Sequence, residues 1–311
     1  AGCAVGPDYT TPEVNLPKQF AGAEPQQGEG ELNVERWWNN FNDPILAQLV
    51  ADAVRGNNDL QSAIARVNQS RAIYNQTFLN LFPTITSDGQ YQNTHIPTST
   101  FAGGALKTGK SHINNDYYST GFDAVWEIDI FGRVRRQVEA QDAQVDASVA
   151  GLQDAIRILV SEVARNYFEL RGAQHQKTAS QENARTQEQV VKVAEALFKG
   201  GQSTEFDVVR ARAQYMNTLA TIPPLEAQEK GAIYRLGVLT GRQPQEMIGL
   251  LSTQSPLPTY AGPVKLGDPA SLLKRRPDIR AIERQLAAAT ANIGVAQGDL
   301  FPKVTFNGSI N

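Results

Sequence analysis

The feature that most constrains the fold is a helix-to-strand segment that occurs twice, 219 residues apart and without a gap. The first copy spans residues 58–92 and the second spans residues 277–311. Each copy is a polar, alanine-rich run that reaches Leu-Phe-Pro, at residues 81–83 and 300–302, and then alternates like a strand. A duplicated unit predicts internal pseudo-symmetry. The second copy stops at its first strand, whereas the first continues into a second strand and long helices, so we expect the printed sequence to be cut short.

Composition excludes several classes of protein. The formal net charge is −3 and charged residues make up 20% of the chain, so there is no basic field to bind nucleic acid. No apolar run approaches the roughly 18–20 residues of a spanning helix, which excludes a helical membrane protein but not one built of strands. Cys3 is the only cysteine, and His95, His112 and His175 lie far apart. We therefore expect no disulfide framework, metal site or cofactor.

The clearest strand pattern follows residues 93–116, a stretch rich in Gly, Thr, Ser and Asn that we expect to form a loop. Apolar and polar residues then alternate over about 11 residues, which is typical of a membrane-barrel strand and also of a half-buried strand in a soluble sheet. One face carries Tyr118, Phe122, Ala124, Trp126 and Ile128, and the other carries Asp123, Glu127 and Asp129.

A very long helix is predicted after this strand. From Arg133 to about Phe198 there is no proline, and at about 1.5 Å per residue such a helix would reach roughly 100 Å. Its apolar residues recur at three- and four-residue spacings and predict a heptad-type seam. The seam consists of Val134, Val138, Val145, Val149, Leu152, Ile156, Leu159, Val163, Tyr167 and Leu170.

A turn separates this helix from a second one. The glycine pair in the turn predicts the stop, a Ser or Thr can cap the next helix, and the acidic residues favour that helix's N-terminus. Pro223 and Pro224 break or kink the second helix, which continues to Gly241. The turn contains Gly200, Gly201, Ser203, Thr204, Glu205 and Asp207.

Neither the strands nor the helices are complete alone. Three or four strands cannot close a barrel, and an open sheet edge is not tolerated in lipid. A helical hairpin of this length would bury too little apolar surface by itself. We therefore expect a homo-oligomer in which each protomer contributes a sector of a barrel and a sector of a helical tube.

The whole chain resembles the TolC-like outer-membrane efflux family, in particular the NodT-type outer-membrane lipoproteins of RND tripartite efflux pumps. The matching stretches are GPDY at residues 6–9, WWNNFNDP at 37–44, WEIDIFGRVR at 126–135, IPPLEAQ at 222–228 and, above all, KRRPDIRAIERQLAAATANIGVAQGDLFPKV at 274–304. The resemblance implies an α+β fold. A homotrimer would form a twelve-stranded barrel, with up to four strands per protomer, on a long antiparallel α-helical periplasmic barrel. The internal two-fold repeat would be incomplete here.

The resemblance also implies roles for single residues. Ala1-Gly2-Cys3 matches the end of a bacterial lipobox, so Cys3 would carry palmitate after removal of a signal peptide. The turn from Gly200 to Asp207 would be a periplasmic tip that contacts an adaptor. The apolar face of the strand would contact lipid, and Asp123, Glu127 and Asp129 would line the lumen or its rim.

The same resemblance divides the chain into six segments. These are residues 1–44, a lipidated extended tail; 45–82, the first-repeat helices of the periplasmic barrel; 83–130, a β-barrel hairpin with an extracellular loop at 93–116; 131–241, a periplasmic helical hairpin with its tip at 199–207; 242–276, an equatorial region; and 277–311, the start of the second repeat.

The function expected from all of this is a passive duct in the bacterial outer membrane. Its partners would be a periplasmic membrane-fusion adaptor, an inner-membrane RND pump and outer-membrane lipid. A duct for type I protein secretion is an alternative. A periplasmic coiled-coil adaptor is a further one, although it accounts for the helices and not for the strand alternation or the repeat. An enzyme is not favoured, because the sequence shows no nucleophile–base pairing, phosphate loop or metal-ligand spacing.

Overall fold

The computed structural model describes residues 4–17, 36–97, 112–260 and 269–310. A 3-10 helix over Trp37–Phe41 precedes the regular elements. In chain order these are α1 (Pro44–Gly56), α2 (Asn58–Leu79), β1 (Thr84–Pro97), β2 (His112–Ile128), α3 (Arg133–Lys199), α4 (Glu205–Ala220), α5 (Ile222–Thr240), α6 (Pro244–Leu251), α7 (Pro269–Arg275), α8 (Pro277–Gly298) and β3 (Val304–Ile310). Within the described ranges, no helix is both long and apolar enough to cross a lipid bilayer.

The chain divides into two compact units. The first, the sheet unit, comprises Ala1–Glu13, Val67–Val149 and Ala281–Asn311. The second, the helical unit, comprises Val14–Arg66 and Ala150–Arg280. Each unit therefore brings together segments that are far apart in the sequence.

The sheet unit contains an antiparallel sheet in the order β1-β2-β3. Phe122 of the central strand pairs with Ser87 of β1 on one side and with Ile310 of β3 on the other. Because strand side chains alternate with a period of two, this register gathers most of the apolar residues of the three strands on one face, whereas Tyr117 and Val125 lie on the other. The alternation predicted for β2 is confirmed. The apolar face consists of Ile85, Tyr91, Tyr118, Phe122, Ala124, Trp126, Ile128, Val304, Phe306 and Ile310.

The hairpin strands are longer than expected. β1 continues to Pro97 and β2 begins at His112, so the expectation of a loop over 93–116 is wrong at both ends. Residues 98–111 lie outside the described part of the chain. The polar side chains misled the prediction because ladder hydrogen bonds are made by the backbone. Polar side chains even stabilise the pairing here, since Asn93 Nδ2 donates to Asp116 Oδ1 over 2.6 Å.

The predicted repeat is present in the fold. α2 and α8 each contain 22 residues and end in the same turn. Leu81 N donates to Phe78 O over 3.1 Å, and Leu300 N, at the equivalent position, donates to Gln297 O over 3.1 Å. The strands that follow pair with opposite edges of β2, so the two copies flank the central strand.

Helix α3 has the predicted length, but alanines occupy its buried positions in the sheet unit. Val138, Val145 and Val149 of the predicted seam are only half-buried there. Small side chains at a contact allow helices to approach closely, which the valine spacing alone does not reveal. The buried alanines are Ala140, Ala143 and Ala147.

The helical unit is built around an apolar core, and Asp43 caps the start of α1. Asp43 Oδ1 accepts from Ile45 N over 2.9 Å and from Leu46 N over 3.0 Å. The predicted break is also present, because α4 ends at Ala220 and α5 begins at Ile222. The core includes Leu46, Leu49, Val50, Ala53, Leu159, Val163, Tyr167, Leu170, Leu236, Met247 and Leu251.

The N-terminal tail contacts the sheet unit. Residues 4–13 belong to that unit, and Val5 N donates to Phe131 O over 3.0 Å. These residues are half-buried or exposed, so the tail lies on the surface of the unit. Composition favoured an extended backbone, but it could not show that this backbone docks on distant elements.

Candidate functional site

The apolar face of the sheet is exposed. Tyr118 is 74% exposed and Phe122 is 60% exposed, and Ile85, Phe306 and Ile310 are also exposed. A contiguous exposed apolar patch, bounded by polar residues, marks a surface that contacts a partner or a membrane. The sheet therefore offers a built contact surface rather than a packed core.

Aromatic side chains lie towards both ends of this surface. The rings of Tyr91 and Tyr118 lie 4.9 Å apart at one end. Towards the other end, Trp126 Nε1 donates to the Leu81 carbonyl over 3.1 Å. Tyr and Trp suit a boundary where an apolar region meets water, because each has an apolar ring and a polar atom.

The three acidic residues predicted for the opposite face have different surroundings. Asp123 lies on the polar face, in register with Thr86 and Ser309. Glu127 instead receives two hydrogen bonds from Arg133, over 3.0 Å from Nε and 2.6 Å from Nη2.

Asp129 lies beyond the end of β2 and caps α3. Its carboxylate accepts from Val134 N over 3.1 Å and from Arg135 N over 2.9 Å. An acidic cap satisfies free N–H groups at the helix start and interacts favourably with the helix dipole. Glu127 and Asp129 therefore hold the joint between β2 and α3, a role that the sequence argument missed. The Asp-x-x-x-x-Val-Arg spacing was the available signal.

The second copy of the repeat packs against the same joint. Arg133 Nε lies 3.9 Å from Asp299 Oδ1, and Lys303 Nζ lies 2.9 Å from the same oxygen. A Cβ atom on Gly298 would lie only 2.8 Å from Arg133 Cβ. The absence of a side chain at residue 298 therefore permits this close approach.

The predicted turn after α3 is confirmed in detail. Gly201 has a φ of +71°, in the left-handed region. Its N–H donates to Phe198 O over 3.0 Å, and Gln202 N donates to Leu197 O over 2.9 Å. This is a Schellman arrangement, which satisfies free carbonyls at the helix end and favours glycine.

The start of α4 is a capping box. Thr204 Oγ1 accepts from Asp207 N over 3.4 Å, while Asp207 Oδ2 accepts from Thr204 N over 3.0 Å. The hydrogen bond from the Thr204 hydroxyl, followed by those from the Thr204 N–H and the Ser203 hydroxyl, lowers the pKa of Asp207. Thr204 and Asp207 therefore stabilise the turn. Of the two acidic residues predicted to contact a partner here, Glu205 is the one that is not part of the capping box.

Apolar side chains at this turn were not predicted as part of the site. Phe206 is 71% exposed, and Val209 is exposed one turn later. Val209 and Glu205 line a groove of about 390 Å³ together with Phe198 and Arg212. Apolar residues outside the heptad seam, next to a glycine turn, were the signal for this surface.

A polar network inside the helical unit was also missed. Arg171 is fully buried and donates to Gln174 Oε1 over 2.7 Å and to Thr253 O over 2.8 Å. Gln174 in turn donates to Glu229 Oε1 over 3.1 Å. Arg171 lies four residues after Tyr167, and Gln174 lies four residues after Leu170. The helical spacing was therefore the signal for their burial, although their polarity argued against it.

Cys3, the predicted lipidation residue, lies outside the described residues. The residue that follows it is described and belongs to the sheet unit.

Comparison with known proteins gives a family and a fold. The family model described as Outer membrane efflux protein matches residues 49–242. Nodulation protein T of Rhizobium leguminosarum bv. trifolii is 32% identical over 311 residues, which is 100% of this chain and 64% of that protein. The Cation efflux system protein CusC of Escherichia coli O6:H1 is 30% identical over 318 residues, which covers 100% of this chain and 65% of that protein.

A solved structure agrees with the architecture. The outer-membrane channel OprN superposes with a TM-score of 0.85 and 37% identity, covering 98% of this chain and 66% of that one. The combination of long helices with antiparallel strands is therefore the fold of that channel, as predicted. The chain spans 64% and 65% of the length of the two curated relatives.

Proposed function

This chain belongs to the outer membrane efflux protein family, and from that membership we propose that it is the outer-membrane channel component of a tripartite efflux system. The protein would be a passive duct, without an enzymatic step, that receives substrates on the periplasmic side and releases them outside. The observation that carries the proposal is the sheet with one exposed apolar face and one polar face. One relative is named for nodulation and another for cation efflux, so the cargo is left open.

The dimensions of the apolar face support contact with lipid. Tyr118 and Ile128 are ten residues apart on β2, or about 34 Å along the strand. At the tilt of about 35–45° found in membrane barrels, this strand length gives a height of about 25 Å, which matches the apolar band of outer-membrane barrels. Asp123 would then face the water-filled lumen, with Glu127 and Asp129 at its periplasmic rim.

The sheet edges support assembly into a closed barrel. β1 and β3 are the outer strands of the sheet, and each pairs only with β2 among the described residues. In lipid, each unpaired backbone group would cost several kcal/mol, so both edges require further strands. A homotrimer with twelve strands in total meets this requirement, and outer-membrane lipid surrounds it.

The turn after α3 supports a docking role. Along the chain, α3 lies between β2 and this turn, and a helix of 67 residues has a length of about 100 Å. Gly200, Gly201, Ser203, Thr204 and Asp207 would shape the tip, while Glu205 and Phe206 would contact a periplasmic membrane-fusion adaptor. The adaptor would in turn engage an inner-membrane RND pump.

Lipidation would complete the attachment to the membrane. Cys3 would carry the acyl chains of a bacterial lipoprotein, palmitate among them. Two or more acyl chains give stable membrane anchoring, so the lipid would add to the attachment that the barrel provides. The proposed location is the outer membrane, with the helices in the periplasm.

Replacing Phe122 with Arg, compared with Asp123→Arg as the matched control, tests the lipid-facing assignment. Phe122 lies near the middle of the apolar face, so Phe122→Arg should lower the free energy of unfolding by about 2–4 kcal/mol. Asp123→Arg changes the neighbouring residue on the polar face and should be nearly neutral. Denaturant unfolding of the protein in lipid vesicles measures both.

Equal losses at the two positions would contradict the assignment of the faces. A loss at Asp123 alone would reverse it, with the polar face buried and the apolar face in water.

A further inference from the structure

The N-terminal residues Ala4–Thr11, called the strap, run across the joint between β2 and α3. Both backbone polar groups of Val5 are hydrogen-bonded. Its N–H donates to Phe131 O over 3.0 Å, and its carbonyl accepts from the Arg136 side chain, from Nε, over 3.1 Å. Phe131 and Arg136 flank Gly132 at the start of α3. The strap is therefore attached to the residues that reverse the chain from strand to helix.

Two glycines leave the space that the strap occupies. A Cβ atom on Gly132, whose φ is +79°, would lie 2.6 Å from Ala4 Cα. A Cβ atom on Gly294 of α8 would lie 2.8 Å from the Val5 carbonyl oxygen and 2.8 Å from Arg136 Cγ. All three distances are shorter than non-bonded contacts of a carbon atom allow. One glycine belongs to the end of the first hairpin and the other to the second copy of the repeat.

Arg136 connects the strap to α3 through several hydrogen bonds. Its Nη2 donates to Gly6 O over 3.2 Å and to Asp8 Oδ1 over 2.6 Å. Arg136 is only 5% exposed, so its bonds to the strap backbone replace water that it has lost. Asp8 is exposed, and its ion pair therefore contributes less than the backbone acceptors do.

Tyr9 anchors the other end of the strap on α8. Its hydroxyl donates to Glu283 Oε1 over 2.7 Å, and the guanidinium carbon of Arg284 lies 5.4 Å from its ring centre. The ring packs against a small apolar cluster formed by Ala143, Ala287 and Ala288.

We propose that Gly132, Gly294 and Arg136 form a seat that binds the chain's own N-terminal peptide, AVGPDY at residues 4–9, and so connects the β2–α3 joint to α8. The strap then fixes the position of Ala4, the residue that follows Cys3. Where Cys3 carries lipid, a step that rests on the proposed function, the acyl chains enter the membrane beside this joint instead of on a free tether.

Limited chymotrypsin digestion of the native protein in detergent tests the seat. Chymotrypsin cuts after tyrosine, and a seated Tyr9 resists cleavage because proteolysis requires local opening. Gly294→Ala and Arg136→Gln should each raise the rate of cleavage after Tyr9 by roughly tenfold, in proportion to the open population. Mass spectrometry of the released N-terminal peptide gives the rate.

Two controls separate strap release from unfolding. Gly151→Ala also places alanine within a helix, but a Cβ atom there meets nothing within 4 Å, so the rate after Tyr9 should not change. Cleavage after the fully buried Tyr167 reports global unfolding. Tyr9→Phe keeps the cleavage site and loses only the hydrogen bond from the hydroxyl to Glu283. It therefore tests the seat even if Gly294→Ala and Arg136→Gln prevent folding.

Faster cleavage after residue 9 in Tyr9→Phe, with Tyr167 still protected, supports the seat. Identical rates after residue 9 in wild type, Gly294→Ala, Arg136→Gln and Tyr9→Phe would overturn it. The assay requires neither a membrane nor transport, so failure of the channel proposal would leave its result unaffected.

Discussion

Tyr167 lies fully buried in the core of the helical unit, where its hydroxyl donates to Asp43 Oδ2 over 2.7 Å. Burial, followed by this hydrogen bond, raises the pKa of Tyr167 to about 12, against the opposing effect of Arg171. Arg171 lies over the ring at 5.0 Å. The same Asp43 caps α1, so one carboxylate connects the start of α1 to the middle of α3.

This raised pKa predicts a loss of stability in alkali. The fold favours the neutral phenol, so the stabilisation is fully present below pH 10 and is lost as the pH rises from about 10 towards 12. Since one pKa unit corresponds to about 1.4 kcal/mol, the loss from Tyr167 is at most about 2–3 kcal/mol. Helical circular dichroism during denaturant unfolding, at pH 9 to 12, measures it.

Tyr167→Phe is the matched variant, because it cannot ionise. It should be less stable than wild type at pH 8, by about 1 kcal/mol for the lost hydrogen bond, and should show a shallower decline in alkali. Parallel declines in the two proteins would show that other groups cause the alkaline loss.

At the residue scale, the sequence predicted which side of the strand each acidic residue occupies, but not what it binds. Asp123 lies on the polar face as the alternation requires. Glu127 follows the same alternation and receives hydrogen bonds from Arg133, whereas Asp129 lies beyond the end of β2 and accepts from the first N–H groups of α3. Alternation is a local property, whereas a cap depends on how the chain turns after the strand.

At the scale of elements, the turn between α3 and α4 contains two kinds of residue. Thr204 and Asp207 stabilise the start of α4, whereas Phe206 is exposed and can contact a partner. Reversing the charge of Asp207 is a poor test of docking, because its carboxylate accepts from Thr204 and Ser203. Phe206→Ser is cleaner, since this exposed side chain contributes little to the core. In the native protein it should reduce crosslinking to the adaptor and raise drug susceptibility, with no change in the heat resistance of the oligomer.

Met216→Ser is the control for this prediction, because Met216 is on the same helix, ten residues further on, and is 53% exposed. Crosslinking should stay at the wild-type level. If Phe206→Ser and Glu205→Lys together leave crosslinking and efflux unchanged, the turn is only a helix connection and the docking proposal fails.

Elements that depend on neighbouring residues were predictable, and those that depend on remote partners were not. The 22-residue helices, their Leu-Phe-Pro turns, the glycine stop and the capped start of α4 all follow from local sequence. The burial of Ala143 on α3 does not, because its partners Ala287 and Ala288 on α8 are more than a hundred residues away. The strap was missed for the same reason, since Val5 contacts residue 131.

At the scale of the whole molecule, the proposed function requires the two faces of the sheet to have different surroundings. In that proposal the apolar face contacts lipid and the polar face contacts water, and the closed assembly, the lumen and the outer-membrane location would all follow from this difference. The family match and the similarity to a solved channel support the proposal.

A cysteine scan along β2 tests this central claim most directly. Single cysteines are introduced in the native protein in vesicles, labelled with a membrane-impermeant maleimide and quantified site by site by mass spectrometry. The account predicts labelling with a period of two. Cysteines at the polar-face positions Ser119, Asp123 and Val125 should react with the maleimide. Cysteines at the apolar-face positions Thr120, Phe122 and Ala124 should not. Equal labelling of the two sets, or labelling of the apolar face alone, would contradict the account.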